Sequence, residues 1–491
     1  NYDYKEVKFD TTGPASADGK WSYRLTGLAR DADTQVDYVE DDRYAIQPAL
    51  TYRPTSDTSI TLMGLLQKDH SGSTAQFFHR IGTLDPNVNG RRIPRERFIG
   101  EPGDYIDKNA ASGTLIIEHE FNPSVKLRHV SRYSDVDTNS DYRYAGHFVT
   151  PVPYLDLNQE LSARVHNISD IDTQVFGQDT NVEVSFSTGP LTHRVLGGID
   201  HANFRENSLV GQALDQNPIN VYDPIYGQPE VLAAFVPCGG TTIVPVSEVP
   251  LCDSQQSVSQ TGLYVQDQMR LGNWIAVVGA RKDWIRNETD TSQTPKYVQE
   301  DDAITYRAGL MYEFGFGPTP YVSYGESFVP VTGTTSPARG STAFDPQEGR
   351  MYEIGFKYQP TGADFAINGA IYDIAESNRL ESDNANPVYN VQSGAVAIQG
   401  FEIEITGRLT RNLKVAGGYS YTDAQYDGEE NNGNQLETVP KHLASLWGVW
   451  EFDQPELNGA SVGTGVRYVS TSRDTPKPNE PHYVNLHQTT P

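Results

Sequence analysis

The sequence predicts a large, all-β, antiparallel barrel that spans a membrane. Three observations carry that expectation. Apolar and polar residues alternate with a period of two along most of the chain. The apolar face ends in aromatic residues about one membrane thickness apart. Short and long connections follow one another in turn.

The alternation is explicit. Over 21–30, Trp21, Tyr23, Leu25, Gly27 and Ala29 oppose Ser22, Arg24, Thr26 and Arg30. Over 44–53, Tyr44, Ile46, Pro48, Leu50 and Tyr52 oppose Gln47, Thr51 and Arg53. Over 304–314, Ile304, Tyr306, Ala308, Leu310, Tyr312 and Phe314 oppose Thr305, Arg307, Gly309 and Glu313. The same pattern runs through 350–358, 401–405, 413–422, 442–452 and 460–468. A sandwich strand also alternates, but its apolar face is bulky aliphatic. Here Trp274 and Trp284 bracket Ala276, Val278 and Ala280 on one face, with Lys282 beside one rim. Ten residues at about 3.3 Å, tilted about 45°, rise roughly 23 Å, close to an apolar band about 25 Å tall.

Short turns are expected at 53–58, 121–124, 187–190, 271–273, 315–319, 359–362 and 453–456. Long loops are expected at 69–107, 137–158, 207–255, 288–302, 330–345, 377–394 and 428–437. Tight turns on one side and long loops on the other are the pattern of an outer-membrane barrel. About nineteen strands are counted, over a barrel domain at 1–471, and a tail at 472–491 loses the alternation.

Composition agrees. Mean hydropathy is −0.53, and 37% of the 491 residues are hydrophobic. No apolar run of about 18 residues exists, which excludes a helical membrane protein. The 28 tyrosines and 43 glycines suit strands, aromatic girdles and turns. A net charge of −26 without a basic stripe argues against a nucleic-acid partner. It fits acidic surface loops, and equally plain solubility. Cys238 and Cys252 share one Pro- and Gly-rich stretch, read as a local disulfide in an oxidising compartment; the alternative is two free thiols.

Several stretches resemble the barrel of TonB-dependent ferric-siderophore receptors, of the kind that imports hydroxamates such as ferrichrome. They are WSYRLTGLARDADTQVDYVEDDRYAIQPALTYRP at 21–54, IPRERFIGEP at 93–102 and TGLYVQDQMRLGNWIAVVGARKDW at 261–284. The others are YVSYGESFVPVTGT at 321–334, GFEIEITGRLTRNL at 400–413 and VPKHLASLWGVW at 439–450. The resemblance implies a 22-strand plugged barrel in the bacterial outer membrane. It implies a ferric siderophore as ligand, the TonB complex as partner through a plug, a lipid surround and a monomeric state. Measured against that family, the plug and the last two strands are expected to be missing here.

No phosphate loop, His-Glu-x-x-His or nucleophile elbow is present, so no enzyme and no cofactor are expected. A ferric siderophore arrives with its iron coordinated, and needs an aromatic cup with a few hydrogen-bond donors. The loop at 69–107 offers Gln76, Phe77, Phe78 and His79; Tyr142, Arg143, Tyr144 and His147 follow the strand at 123–136. The resemblance places siderophore-contacting aromatics in these two regions. Phe77 falls where the family has a Trp, Tyr142 and Tyr144 match its tyrosine pair, and Ala75 replaces a further Tyr. Phe78 and His79 are further candidates, for which packing is the favoured reading. Leu209 and Val210 are candidates in a loop that closes over ligand. The competing readings are a passive porin-type pore and a soluble, secreted all-β binding protein.

Overall fold

The computed structural model describes residues 2–147, 150, 152–235, 243–291, 296–360, 362–383, 389–428, 432–457, 459–473 and 483–484. The chain divides into two compact units. Among the described residues, twenty strands belong to one sheet and there is no α-helix.

The first unit holds residues 1–182, 199–261 and 285–300. It opens with β1 (Lys5–Pro14), β2 (Trp21–Asp31), β3 (Asp41–Thr55), β4 (Thr58–Ser71), β5 (Tyr105–Asn122) and β6 (Val125–Ala145). Each pairs antiparallel with the next. The register lays the apolar faces side by side. Tyr23 stands opposite Leu50, Leu50 opposite Leu62, and Leu62 opposite Leu115. The other face is polar: Arg24 pairs with Asp10, Arg43 with Asp69, and the Thr51 and Thr61 hydroxyls meet at 2.9 Å. Then come β7 (Leu161–Thr188) and β8 (Leu191–Asn220), whose outer ends lie in this unit. The hairpin of β9 (Leu232–Phe235) and β10 (Ile243–Pro245) and the start of β11 (Cys252–Leu271) follow.

The second unit holds 183–198, 262–284 and 301–491. Its strands are the larger parts of β12 (Trp274–Thr291) and β13 (Tyr297–Tyr312), whose residues 285–291 and 297–300 lie in the first unit, and then β14 (Pro318–Val329), β15 (Gln347–Tyr358), β16 (Phe365–Ser382), β17 (Asn390–Arg408), β18 (Leu413–Tyr426), β19 (His442–Glu451) and β20 (Ser461–Val469). From β13 to β20 each pairs with the next. One transverse row reads Leu310, Val322, Ile354, Ile371, Phe401, Tyr421. The first five of these side chains are exposed. A water-soluble sheet would bury such a row, and lipid solvates it. At the turn end, Trp274, Tyr312, Phe314 and Phe316 touch in series, with centroids 4.8, 4.6 and 5.4 Å apart, as a girdle requires.

The expected turns close tightly at 56–57, 123–124, 189–190 and 272–273, and further short connections at 15–20 and 409–412 escape the sequence reading. Four long loops are shorter than expected: β12 runs to Thr291 and β13 starts at Tyr297 within the stretch 288–302, and β16 runs to Ser382 and β17 starts at Asn390 within 377–394. β6 runs on to Ala145 and β8 to Asn220, so the stretches beginning at 137 and 207 start as strand. Tyr142, Tyr144, Leu209 and Val210 therefore stand on strands, not in loops. Polar side chains on both faces had read as loop, yet each face has loop residues to bond there. The count of nineteen compares with twenty, of which β9 and β10 are only 4 and 3 residues long. In the tail, β21 (Ser472–Arg473) pairs with β22 (Tyr483–Val484). Cys252 heads β11, whereas Cys238 lies outside the described residues.

Candidate functional site

The site forms where β6, β7 and β8 outrun the membrane. Each strand residue rises about 2.3 Å at the usual tilt, so Tyr142 and Tyr144 stand roughly 40 Å above the turn at 123–124, clear of a band about 25 Å tall. Parity then fixes their side. Ser131 stands opposite Leu115 of the apolar row. Odd residues of β6 thus share the apolar face, and Tyr142 and Tyr144 take the polar one.

On that face the two tyrosine rings lie 5.8 Å apart, and Phe77 meets Tyr144 edge-on at 5.2 Å. Tyr144 is buried with Ala163, Val165 and Leu214, and Tyr142 packs against the same cluster. Gln212 donates from Nε2 to the Tyr144 hydroxyl at 3.3 Å and to Asn167 Oδ1 at 3.0 Å. Burial pushes the Tyr144 phenol up to about 12. Val210 is half-buried and two residues before Gln212, on the same side of β8.

Phe77 is exposed and has φ of +49°, a left-handed conformation that a bulky residue adopts only when its surroundings hold it there. Gln76 does the holding. Its Oε1 accepts from Ile99 N–H at 2.8 Å, its Nε2 donates to Ser73 O at 2.9 Å, and its own carbonyl accepts from Ala145 N–H at 3.1 Å. Phe78 turns the other way, into a core of Ile93, Ile99, Ala145, Tyr154, Ile219, Val221 and Tyr222. His79 stacks edge-on to His147 at 5.2 Å, and burial lowers the pKa of both rings. So Phe77, Tyr142 and Tyr144 converge on one surface, and Phe78 packs behind them; Val210 stands on β8, the next strand but one from the tyrosines.

Side-chain hydrogen bonds tie the loops behind to one another. Tyr154 Oη donates to Ile81 O at 2.6 Å, and Asn87 Nδ2 to Asn158 O at 3.1 Å. Gly82 sits at φ +97°, where a Cβ would come within 2.8 Å of the Tyr154 hydroxyl.

Sequence reasoning missed what lies on the opposite face of the same strands. Arg143 Nε donates to Glu230 Oε1 at 2.6 Å and Nη1 to Asp141 Oδ1 at 3.1 Å, and the guanidinium also pairs with Asp104. His166 bridges Asp141 at 2.9 Å and Glu230 at 3.1 Å. Arg164 joins Glu101 at 2.6 Å and the fully buried Asp215 at 3.0 Å. Burial pushes the Asp104 carboxyl up despite Arg143; the hydrogen bond to His166 holds Asp141 down. The available signal was Arg164 and His166 alternating with Ala163, Val165 and Asn167, which marks two differently used faces.

Residues 43–487 match the family model described as TonB dependent receptor-like, beta-barrel. The chain belongs to the TonB-dependent receptor β-barrel family. The receptor is thus a large antiparallel barrel of the bacterial outer membrane. It is 31% identical over 488 residues to the ferrichrome outer membrane transporter/phage receptor of Escherichia coli K12, covering 96% of this chain and 63% of that protein. It is 28% identical over 474 residues to the ferrioxamine receptor of Yersinia enterocolitica, with 96% and 62% covered. The receptor thus spans a little under two thirds of these relatives. Among solved structures, the closed form of the ferric-catecholate import receptor Fiu from E. coli K12 superposes with a TM-score of 0.77 at 19% identity. That match covers 96% of this chain and 70% of the other. The ferripyoverdine receptor of Pseudomonas aeruginosa gives 0.76 at 18%, covering 98% and 62%. These two likenesses concern the fold.

Proposed function

We propose that the receptor binds a ferric siderophore of hydroxamate type at its outer end, for import energised by the TonB complex. The observation that carries this reading is the convergence of Phe77, Tyr142 and Tyr144, with the Tyr144 hydroxyl oriented by Gln212. Such a surface offers flat apolar area and a few polar tips to a bulky chelate whose iron is already coordinated. The names of the ferrichrome and ferrioxamine relatives support the same ligand class. The protein acts as a receptor and transporter, with no catalytic step and no resident cofactor. The plug domain of the family supplies the remaining wall of the pocket and the contact with the transducer, and the receptor works as a monomer.

Titration of the complete receptor with ferrichrome and with a ferric catecholate tests this. Ferrichrome is expected to saturate one site, with affinity reduced at least about tenfold by Tyr142→Ala or Tyr144→Ala. Unchanged affinity in both variants removes the site assignment, and tighter binding of the catecholate removes the ligand class.

A further inference from the structure

The ionic cluster on the apolar-face side of β6 lies back to back with the tyrosine pair. Arg143 is the residue between Tyr142 and Tyr144, and its side chain points the opposite way from theirs. It is held twice. Its guanidinium takes Glu230, Asp141 and Asp104, and its backbone N–H donates to Asp104 Oδ2 at 2.8 Å. The arrangement repeats on β7. His166, on the cluster side, bonds Asp141 and Glu230. Its neighbour Asn167, on the ligand side, accepts from the Gln212 amide that reaches Tyr144. Asp104 ends the loop after β4, and Glu230 belongs to the segment after β8, so four parts of the chain meet at Arg143.

We propose that Arg143, with Glu230 and His166, is the positioning element of the ligand site. The clamp fixes the backbone from which Tyr142, Tyr144 and Asn167 project. These strand ends stand beyond the membrane, with no lipid to steady them. A guanidinium shared among three carboxylates locks a single arrangement, because its planar fork admits few alternatives. This inference rests on Tyr142 and Tyr144 contacting the siderophore. The clamp sets how long a ligand stays: a misplaced rung loses contacts that only the bound state makes, which appears in dissociation.

The test is a double-mutant cycle on the complete receptor in detergent, with ferrichrome as the probe. Arg143→Ala and the nearly isosteric Glu230→Gln are each combined with Tyr142→Ala/Tyr144→Ala. Association and dissociation rates and the melting temperature are read together. Both clamp variants are expected to raise the dissociation rate about tenfold, with association changed by less than about twofold. In the tyrosine-free background the same substitutions are expected to change dissociation by less than about twofold, because their effect passes through the tyrosines. Glu230→Gln keeps side-chain shape, so it reports if Arg143→Ala fails to fold. A merely structural brace lowers the melting temperature and affects both backgrounds equally, which overturns the proposal. Loss of affinity in the tyrosine variants with none in the clamp variants overturns it alone. No loss in the tyrosine variants overturns it together with the site assignment.

Discussion

Val278→Arg places a cation in the middle of the lipid-facing band. Val278 is exposed on β12, between the exposed Trp274 and Trp284. At about 2.3 Å of rise per residue it stands roughly 9 Å from the level of Trp274 and roughly 14 Å from Trp284, close to the midplane. A midplane Arg on a barrel costs about 2–4 kcal/mol, and the cost falls towards the interfaces. The native cation on this face, Lys282, lies near the rim beside Asp302 and over the Trp284 ring at 5.9 Å, where snorkelling suffices. The control is Ser323→Arg: Ser323 stands opposite Gly309 and Glu353, on the polar face of β13–β15. Denaturant unfolding of the receptor in lipid vesicles, followed by tryptophan fluorescence, measures both. Val278→Arg is expected to cost at least about 2 kcal/mol more than Ser323→Arg. Equal costs would refute the assignment of the alternating faces to lipid and lumen.

Four further outcomes follow from the same geometry. Phe78→Ala is expected to destabilise the outer loops by about 1–3 kcal/mol, seen as faster amide exchange at Ile99 and Ala145, because the half-buried Phe78 packs on the buried core there. Arg164→Ala leaves Asp215 buried with only the backbone N–H groups of Asn217 and Val231; local opening costing about 3 kcal/mol less should make trypsin cleavage near Arg95 markedly faster. Cys238 and Cys252 are expected to form a disulfide, giving one product in non-reducing mass analysis and no alkylation until reduced; ready alkylation of both refutes it. Asp141 is held down first by its bond to His166, and Glu230 stays below its usual value through Arg143 despite burial. Carboxylates with depressed folded values stabilise above the unfolded carboxylate range and lose that contribution as pH falls through the depressed value. Amide protection of Gly227 and Val231, read after correction for intrinsic exchange, should therefore persist from neutral pH to about pH 4 and fall below it.

The fold was legible because a barrel wall repeats one local rule. The row from Leu310 to Phe401 is written in the sequence as period-two alternation, and neighbouring strands need only align it. The ends of β6 and β8 were not legible, since above the membrane both faces turn polar and alternation no longer separates strand from loop. Tyr142 and Tyr144 could be singled out as stiff amphipathic residues, and the strand then placed them on one side. Their support could not be read. Asp104, Glu230 and Arg143 are far apart in sequence, and only the folded loops bring them together. Phe77 and Phe78 show the same limit. Adjacent and chemically identical, they take opposite roles because Gln76 fixes the turn between the loop and Ala145.

Uptake of radioactive iron from ferrichrome, by receptor-deficient cells carrying the complete receptor, tests the functional conclusion most directly. Saturable uptake that a protonophore abolishes, and that Tyr142→Ala/Tyr144→Ala strongly reduces, is the expected result. Uptake that rises linearly with ferrichrome and ignores both the protonophore and the tyrosines would contradict it and leave a passive pore.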